Sequence, residues 1–203
     1  MRVKLMSWLL LGLVRVLTGS QARWYGCPPK AEQRIYFANH QSHLDLVLIW
    51  AALPGDLRPI TRPIAARDYW TKTPFKQWIT TAVFNAIYVS RERTADQDPL
   101  EPLCEALDKG DSVVLFPEGT RGHAEEPAAF KSGLYNLAQR YPNVVLVPTW
   151  INNVQRVMPK GEVVPVPVLC SVTFGAPMKI EDHEERRAFL DRARNTVIAL
   201  RDV

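Results

Sequence analysis

Arg34-Ile35-Tyr36-Phe37-Ala38-Asn39-His40-Gln41-Ser42-His43-Leu44-Asp45-Leu46 is the stretch on which the fold turns. Ile35, Tyr36 and Phe37 make a short continuous apolar run, as in a strand buried on both faces. A polar turn follows at once. Residues 46–53 then read as a helix, closed by Pro54-Gly55. A buried strand, a polar turn and a helix form the repeating unit of parallel α/β sheets. Such sheets build their sites at the carboxyl ends of strands. The turn at residues 39–45 is therefore the first place to look for chemistry.

The same alternation continues outward. Residues 57–65 are extended, because Pro59 and Pro63 exclude a helix interior. Residues 74–84 read as a helix with proline in its first turn, and residues 86–89 as a strand. Leu100, Leu103, Cys104 and Leu107 repeat at helical spacing, and Gly110 ends that helix. Residues 113–116 read as a strand and 130–141 as a helix. Residues 144–147 and 168–174 read as two more strands. Asp182 and Glu185 fit a capping box for a last helix, with Phe189, Ala193, Val197 and Leu200 on one face. The expected fold is a single α/β domain with a largely parallel central sheet flanked by helices.

Composition narrows the partners. The 203 residues are 47% hydrophobic and 23% charged, which suits one globular domain. Cys27, Cys104 and Cys170 lack disulfide or metal-ligand spacing, so buried free thiols are expected. The net charge of +4 favours anionic partners. The basic residues are scattered, which speaks against a nucleic-acid partner and for a phospholipid surface or a phosphorylated ligand.

At the N-terminus, Arg2 and Lys4 precede an apolar stretch at residues 5–17, broken by Ser7 and Arg15. A helix of that length reaches about 20 Å, short of the ~30 Å hydrocarbon core. It is read as an interfacial membrane helix, with Trp8 and Trp24 near the headgroups and Arg15 reaching outward. A signal peptide cleaved near Ser20 and Ala22, or an ordinary core helix, are the rivals. On this reading residues 1–24 are a membrane-associating segment and residues 25–203 the main domain.

His40 and Asp45 could form a base and its orienting carboxylate. An imidazole can take a proton from a hydroxyl, and a carboxylate on its other nitrogen fixes the tautomer. The pair meets only if His40 sits in the turn and Asp45 on the following helix. Two rivals exist. Ser42 and Asp45 also match a capping box, which would leave His40 a loop residue. His40, His43 and Asp45 resemble part of a zinc motif, but no third clustered ligand is evident, so no metal is expected.

Phe116-Pro117-Glu118-Gly119-Thr120-Arg121-Gly122 follows another strand. Glycines in a polar turn let backbone amides approach an anion, and Thr120 and Arg121 can hold phosphate oxygens. The turn is not a P-loop, because no Gly-Lys-Ser/Thr ends it. Ser90-Arg91 and Val147-Pro148 close two further strands and say little alone.

Together these segments resemble the glycerophospholipid acyltransferase family, its lysophosphatidic acid acyltransferases in particular. His40 and Asp45 match that family's Asn-His-four residues-Asp block, and residues 116–121 match its Phe-Pro-Glu-Gly-Thr-Arg block at every position. Phe130-Lys131-Ser132-Gly133 is similar to its Phe-Lys-x-Gly, and Val147-Pro148 to its fourth block. The likeness covers about residues 35–177.

The resemblance implies that His40, oriented by Asp45, deprotonates an acceptor hydroxyl. That oxygen then attacks the thioester of acyl-CoA or acyl carrier protein, a co-substrate, with no cofactor and no enzyme nucleophile. It implies that Ser90, Arg91, Glu118, Gly119, Thr120, Arg121 and Lys131 bind the acceptor's glycerol phosphate and that Pro148 shapes the acyl-donor side. The implied acceptor is 1-acylglycerol 3-phosphate. Glycerol phosphate, a lyso-aminolipid acceptor, or a non-catalytic lipid-binding module are alternatives. The implied location is the cytoplasmic face of a cell membrane, the bacterial inner membrane, with monotopic or peripheral attachment. The second block departs from the family pattern: Asn85 stands for a glycine and Ser90 for an aspartate. Trp150 also stands where smaller residues are commoner. These departures leave the acceptor's identity open.

Overall fold

β2 (Arg34–Ala38) is buried along its whole length, as its apolar run predicts. In this computed structural model, which describes residues 2–19, 21–42, 44–90, 98–122, 124–152 and 169–203, β2 lies at the middle of a seven-stranded sheet. The strands are β1 (Gln21–Trp24), β2, β3 (Thr61–Ala66), β4 (Ile87–Val89), β5 (Ser112–Leu115), β6 (Val145–Asn152) and β7 (Ser171–Phe174). Their spatial order is β1-β7-β6-β2-β5-β3-β4. Every pairing is parallel except β6 with β7.

Helices cover both faces: α1 (Arg2–Thr18), α2 (Asp45–Ala52), α3 (Arg67–Trp70), α4 (Pro74–Trp78), α5 (Glu101–Asp108), α6 (Gly133–Arg140) and α7 (Arg186–Ala199). Alternation along β2 explains the two cores. Ile35 and Phe37 join Leu103, Leu134 and Phe189 on the α5–α7 side. Tyr36 and Ala38 join Leu48, Ile49 and Val172 on the α2 side. All three cysteines are buried and free.

Some expectations shift. β1 is absent from the sequence reading, yet its pairing with β7 makes residues 21–24 an edge strand of the sheet. The sheet therefore reaches into the segment assigned to the membrane. The helix expected over residues 74–84 is α-helical only to Trp78 and becomes a π turn at Ile79–Val83. Thr80 and Thr81 hydroxyls donate to the Lys76 and Gln77 carbonyls there, a back-bonding that distorts helices. The last helix starts later than its capping box suggests. His183 takes a left-handed φ of 62°, and Glu185, not Asp182, precedes the first turn.

α1 packs Met6, Leu10, Leu11 and Val14 inward and leaves Leu5, Trp8, Leu9, Leu13 and Val16 exposed. Among the described residues, no helix is long and apolar enough to cross a membrane.

Candidate active site

Because β2, β5, β3 and β4 run parallel, their carboxyl ends meet at one edge of the sheet. Those ends and the turns that follow carry His40, residues 116–122, Ala66 and Ser90. Asn39 ties the end of β2 to β6: its side-chain amide donates to the Ile151 carbonyl, and its oxygen accepts from the Ile151 amide.

His40 lies in the turn and Asp45 opens α2, the layout that the pair requires. The two meet at 2.8 Å between His40 Nδ1 and Asp45 Oδ2. Asp45 is 1% exposed, and the same Oδ2 accepts backbone N–H groups from Gln41 at 2.7 Å and Ser42 at 2.9 Å. Capping and catalysis are thus not rivals here. One oxygen fastens the turn and also holds the imidazole. Ser42 plays a smaller part than a full capping box gives it, since its hydroxyl accepts from Leu44. A carboxylate acceptor makes Nδ1 the protonated nitrogen, which leaves the Nε2 lone pair for the cavity. Phe116 stacks on the imidazole at 4.2 Å and 18°, fixing the plane of the ring.

Beside the dyad is a cavity of about 530 Å³, a volume typical of small-molecule sites. His40, Ser90, Asp98, Gly119, Thr120, Lys131, Ser132 and Asn136 line its polar part. Gly119 takes a φ of +70°, which only glycine adopts without strain. Any Cβ there would come within 2.7 Å of Lys131 Nζ. The Lys131 amide also donates to the Pro117 carbonyl, so its ammonium is carried directly across the 116–122 turn. That places a cation over a glycine turn, an arrangement suited to a phosphate.

Glu118 is not among the residues lining the cavity. It is 2% exposed; its Oε1 accepts the His40 amide at 2.7 Å and its Oε2 accepts the Ala128 amide at 2.8 Å. Burial raises its pKa above the ordinary carboxylate value, partly offset by those two bonds and by His40. Both oxygens are engaged in holding the site together, so Glu118 positions the His40 backbone. The Gly122 amide closes the link by donating to the His40 carbonyl at 2.8 Å.

Other assigned residues sit apart. Arg121 is exposed and absent from the cavity wall. Pro148 is buried within β6, where its carbonyl accepts from Gly175, and does not line the cavity. Arg91 lies outside the described residues. Trp150 packs in the core on the α5–α7 side, away from the cavity. Asn85 adopts a left-handed φ of 49° just before β4. It meets the backbone demand that a glycine would meet, since asparagine tolerates that region better than most residues.

The sequence reading missed the apolar wall. Leu46, Ile64, Ala66, Trp70, Val89, Leu100, Leu103 and Leu134 line it. Leu103 fits the helical apolar pattern read from the sequence, and both it and Leu134 belong to the core as well. Among the described residues, no group of three side chains is placed to hold a metal ion.

Comparison with known proteins agrees with this geometry. A family model described as Acyltransferase matches residues 27–152. The chain is 29% identical over 178 residues to the 1-acyl-sn-glycerol-3-phosphate acyltransferase alpha of Ovis aries, covering 85% of this chain and 59% of that protein. It is 30% identical over 160 residues to the 1-acyl-sn-glycerol-3-phosphate acyltransferase of Cocos nucifera, covering 75% of this chain and 48% of that one. The chain thus spans about half to three fifths of the length of these curated relatives. The crystal structure of the 1-acyl-sn-glycerophosphate (LPA) acyltransferase of Thermotoga maritima superposes with a TM-score of 0.71 at 21% identity, over 98% of this chain and 78% of that one. At that identity the likeness speaks for the fold alone.

Proposed function

The chain belongs to the Acyltransferase family, and from that footing we propose that it moves a fatty acyl chain from a thioester, acyl-CoA or acyl carrier protein, to the free hydroxyl of 1-acylglycerol 3-phosphate, giving phosphatidic acid. The observation that carries this reading is the His40–Asp45 pair opening onto a cavity that is apolar on one side and on the other carries Lys131 beside the Gly119 turn.

His40 Nε2 accepts the proton of the acceptor hydroxyl as its oxygen bonds to the thioester carbonyl carbon. Asp45 stabilises the imidazolium that forms. The tetrahedral intermediate then collapses with loss of the thiolate, which takes the proton back from His40 and leaves as a free thiol. The acyl chain passes directly between the two substrates. Lys131, Gly119 and Thr120 hold the acceptor phosphate, and the leucine-lined wall holds an acyl chain. The exposed stripe of α1 lays the protein on a membrane from which the lipid acceptor arrives. The names carried by the relatives support this acceptor.

The test is thiol release from acyl-CoA by the purified protein, screened against 1-acylglycerol 3-phosphate, glycerol 3-phosphate and lyso-aminolipids. Turnover confined to the first acceptor, and lost in His40→Ala, is the expected result. Preference for another acceptor removes the phosphatidic acid assignment, and normal turnover in His40→Ala removes the mechanism.

A further inference from the structure

Two neighbouring helices leave apolar side chains in water close to the cavity. Trp8 on α1 is 78% exposed, and Phe75 on α4 is 61% exposed. The elements are in contact: α1 packs on the π turn that continues α4, and Met6, Leu10 and Trp78 share one core cluster. Exposure of Phe75 is not forced by a missing fold partner, because Trp78, one turn on, is packed into that cluster.

The charges around these rings are one-sided. No Asp or Glu occurs in residues 1–31 or 69–90. Lys72 stands exposed before α4, and Lys76 lies on α4 with its Nζ 4.1 Å from the Tyr69 ring centroid. An exposed phenyl ring flanked by Lys72 and Lys76, with Asp68 the one carboxylate in residues 67–90, matches the boundary of an anionic leaflet. The hydrocarbon takes the ring and the phosphates take the lysines. Trp70 and Leu46 belong both to the cluster under these helices and to the cavity wall. A single layer of side chains therefore separates this face from the site.

We infer that α4 is a second lipid-contact element, distinct from the stripe on α1. Phe75 enters the acyl boundary of the leaflet, and Lys72 and Lys76 bind lipid phosphates. The cavity is thereby held at the depth where a lysolipid acceptor lies, with Trp70 on its path. The role of that depth in turnover rests on the acyltransfer reading above; the contact itself does not.

The full chain is sedimented with vesicles of phosphatidylcholine, with and without phosphatidylglycerol. Phe75→Asp is expected to lower the partition coefficient at least tenfold. Gln77→Asp places the same charge on the opposite side of α4 and is expected to bind as wild type. Lys72→Gln with Lys76→Gln is expected to weaken binding only where phosphatidylglycerol is present. Turnover of Phe75→Asp should fall on acceptor embedded in vesicles and stay at the wild-type level on a short-chain, water-dispersed acceptor. Wild-type vesicle binding by Phe75→Asp, or an equal loss in Gln77→Asp, overturns the proposal. So does an equal loss of turnover on the dispersed acceptor, which would place the role of Phe75 inside the fold. Sedimentation is read without turnover, so a protein that binds through Phe75 but transfers no acyl chain separates the two readings.

Discussion

Replacing Asp45 with asparagine separates the two tasks of this carboxylate. Its Oδ2 accepts three hydrogen bonds, from His40 Nδ1, Gln41 N and Ser42 N, while Oδ1 is buried with no partner among the described residues. Two of those donors are backbone amides, which force the asparagine oxygen into the Oδ2 position. The His40 tautomer is therefore retained, unlike in a triad where the amide turns its nitrogen to the imidazole. What is lost is the negative charge beside the imidazolium of the transition state. For a pair this close, an effective dielectric near 20 caps the attraction at a few kcal/mol, and part survives as a neutral hydrogen bond. A loss of about 2–4 kcal/mol corresponds to roughly 30- to 1,000-fold in rate. The assay is kcat/KM for thiol release at saturating donor, with the melting temperature as control. Asp45→Ala removes the acceptor of all three bonds and should lower stability as well, by about 2–4 kcal/mol. A rate loss of less than about tenfold in Asp45→Asn, with normal stability, would refute the charge argument. A loss of ~10⁴-fold would instead show that the amide has flipped against the two backbone donors.

The other expectations follow from the same geometry. Glu118→Gln offers only one acceptor oxygen to the two amides of His40 and Ala128, so kcat should fall at least tenfold with the acceptor KM nearly unchanged; a raised KM and intact kcat would make it a ligand. Because the folded-state pKa of Glu118 is raised, the unfolded chain ionises first as pH climbs from about 4. Wild-type stability then declines relative to Glu118→Gln until the folded carboxyl ionises too, and parallel urea midpoints from pH 4 to 7 would contradict this. Lys131→Ala should raise the KM for a phosphorylated acceptor more than Arg121→Ala, since only Lys131 lines the cavity; the reverse order in steady-state kinetics would return the phosphate to Arg121. Gly119→Ala should cost about 1–2 kcal/mol of stability for its positive φ, measurable by denaturant unfolding, and should displace Lys131.

The parts of the fold that depend on local pattern were legible. The apolar run of β2 and the polar turn after it place His40 and Asp45 as the sequence reading requires. β1 was not legible, because Gln-Ala-Arg-Trp carries no strand pattern; its extended form comes from pairing with β7. The bonds of Glu118 were not legible for a related reason: its partners, His40 and Ala128, are remote in sequence. The apolar wall escaped notice because Leu103 and Leu134 serve core and cavity together. Asn85 looked like a change of specificity and is a backbone solution. Pro148 lies inside β6, where strand register fixes its neighbours, a place that its sequence did not show.

The pairing of β1 with β7 also sets an order of assembly. Gln21 aligns with Ser171, so β1 must wait for β7 before this pairing can form. Contacts of such separation form late, since a long loop must close first. α1 is made before any of the sheet, while its inward partners Leu46, Trp50 and Ile79 come tens of residues later. During synthesis the helix is thus an apolar segment made before these partners. A membrane or a chaperone can hold it through that interval, and closure of the sheet's edge then fixes its place on the domain.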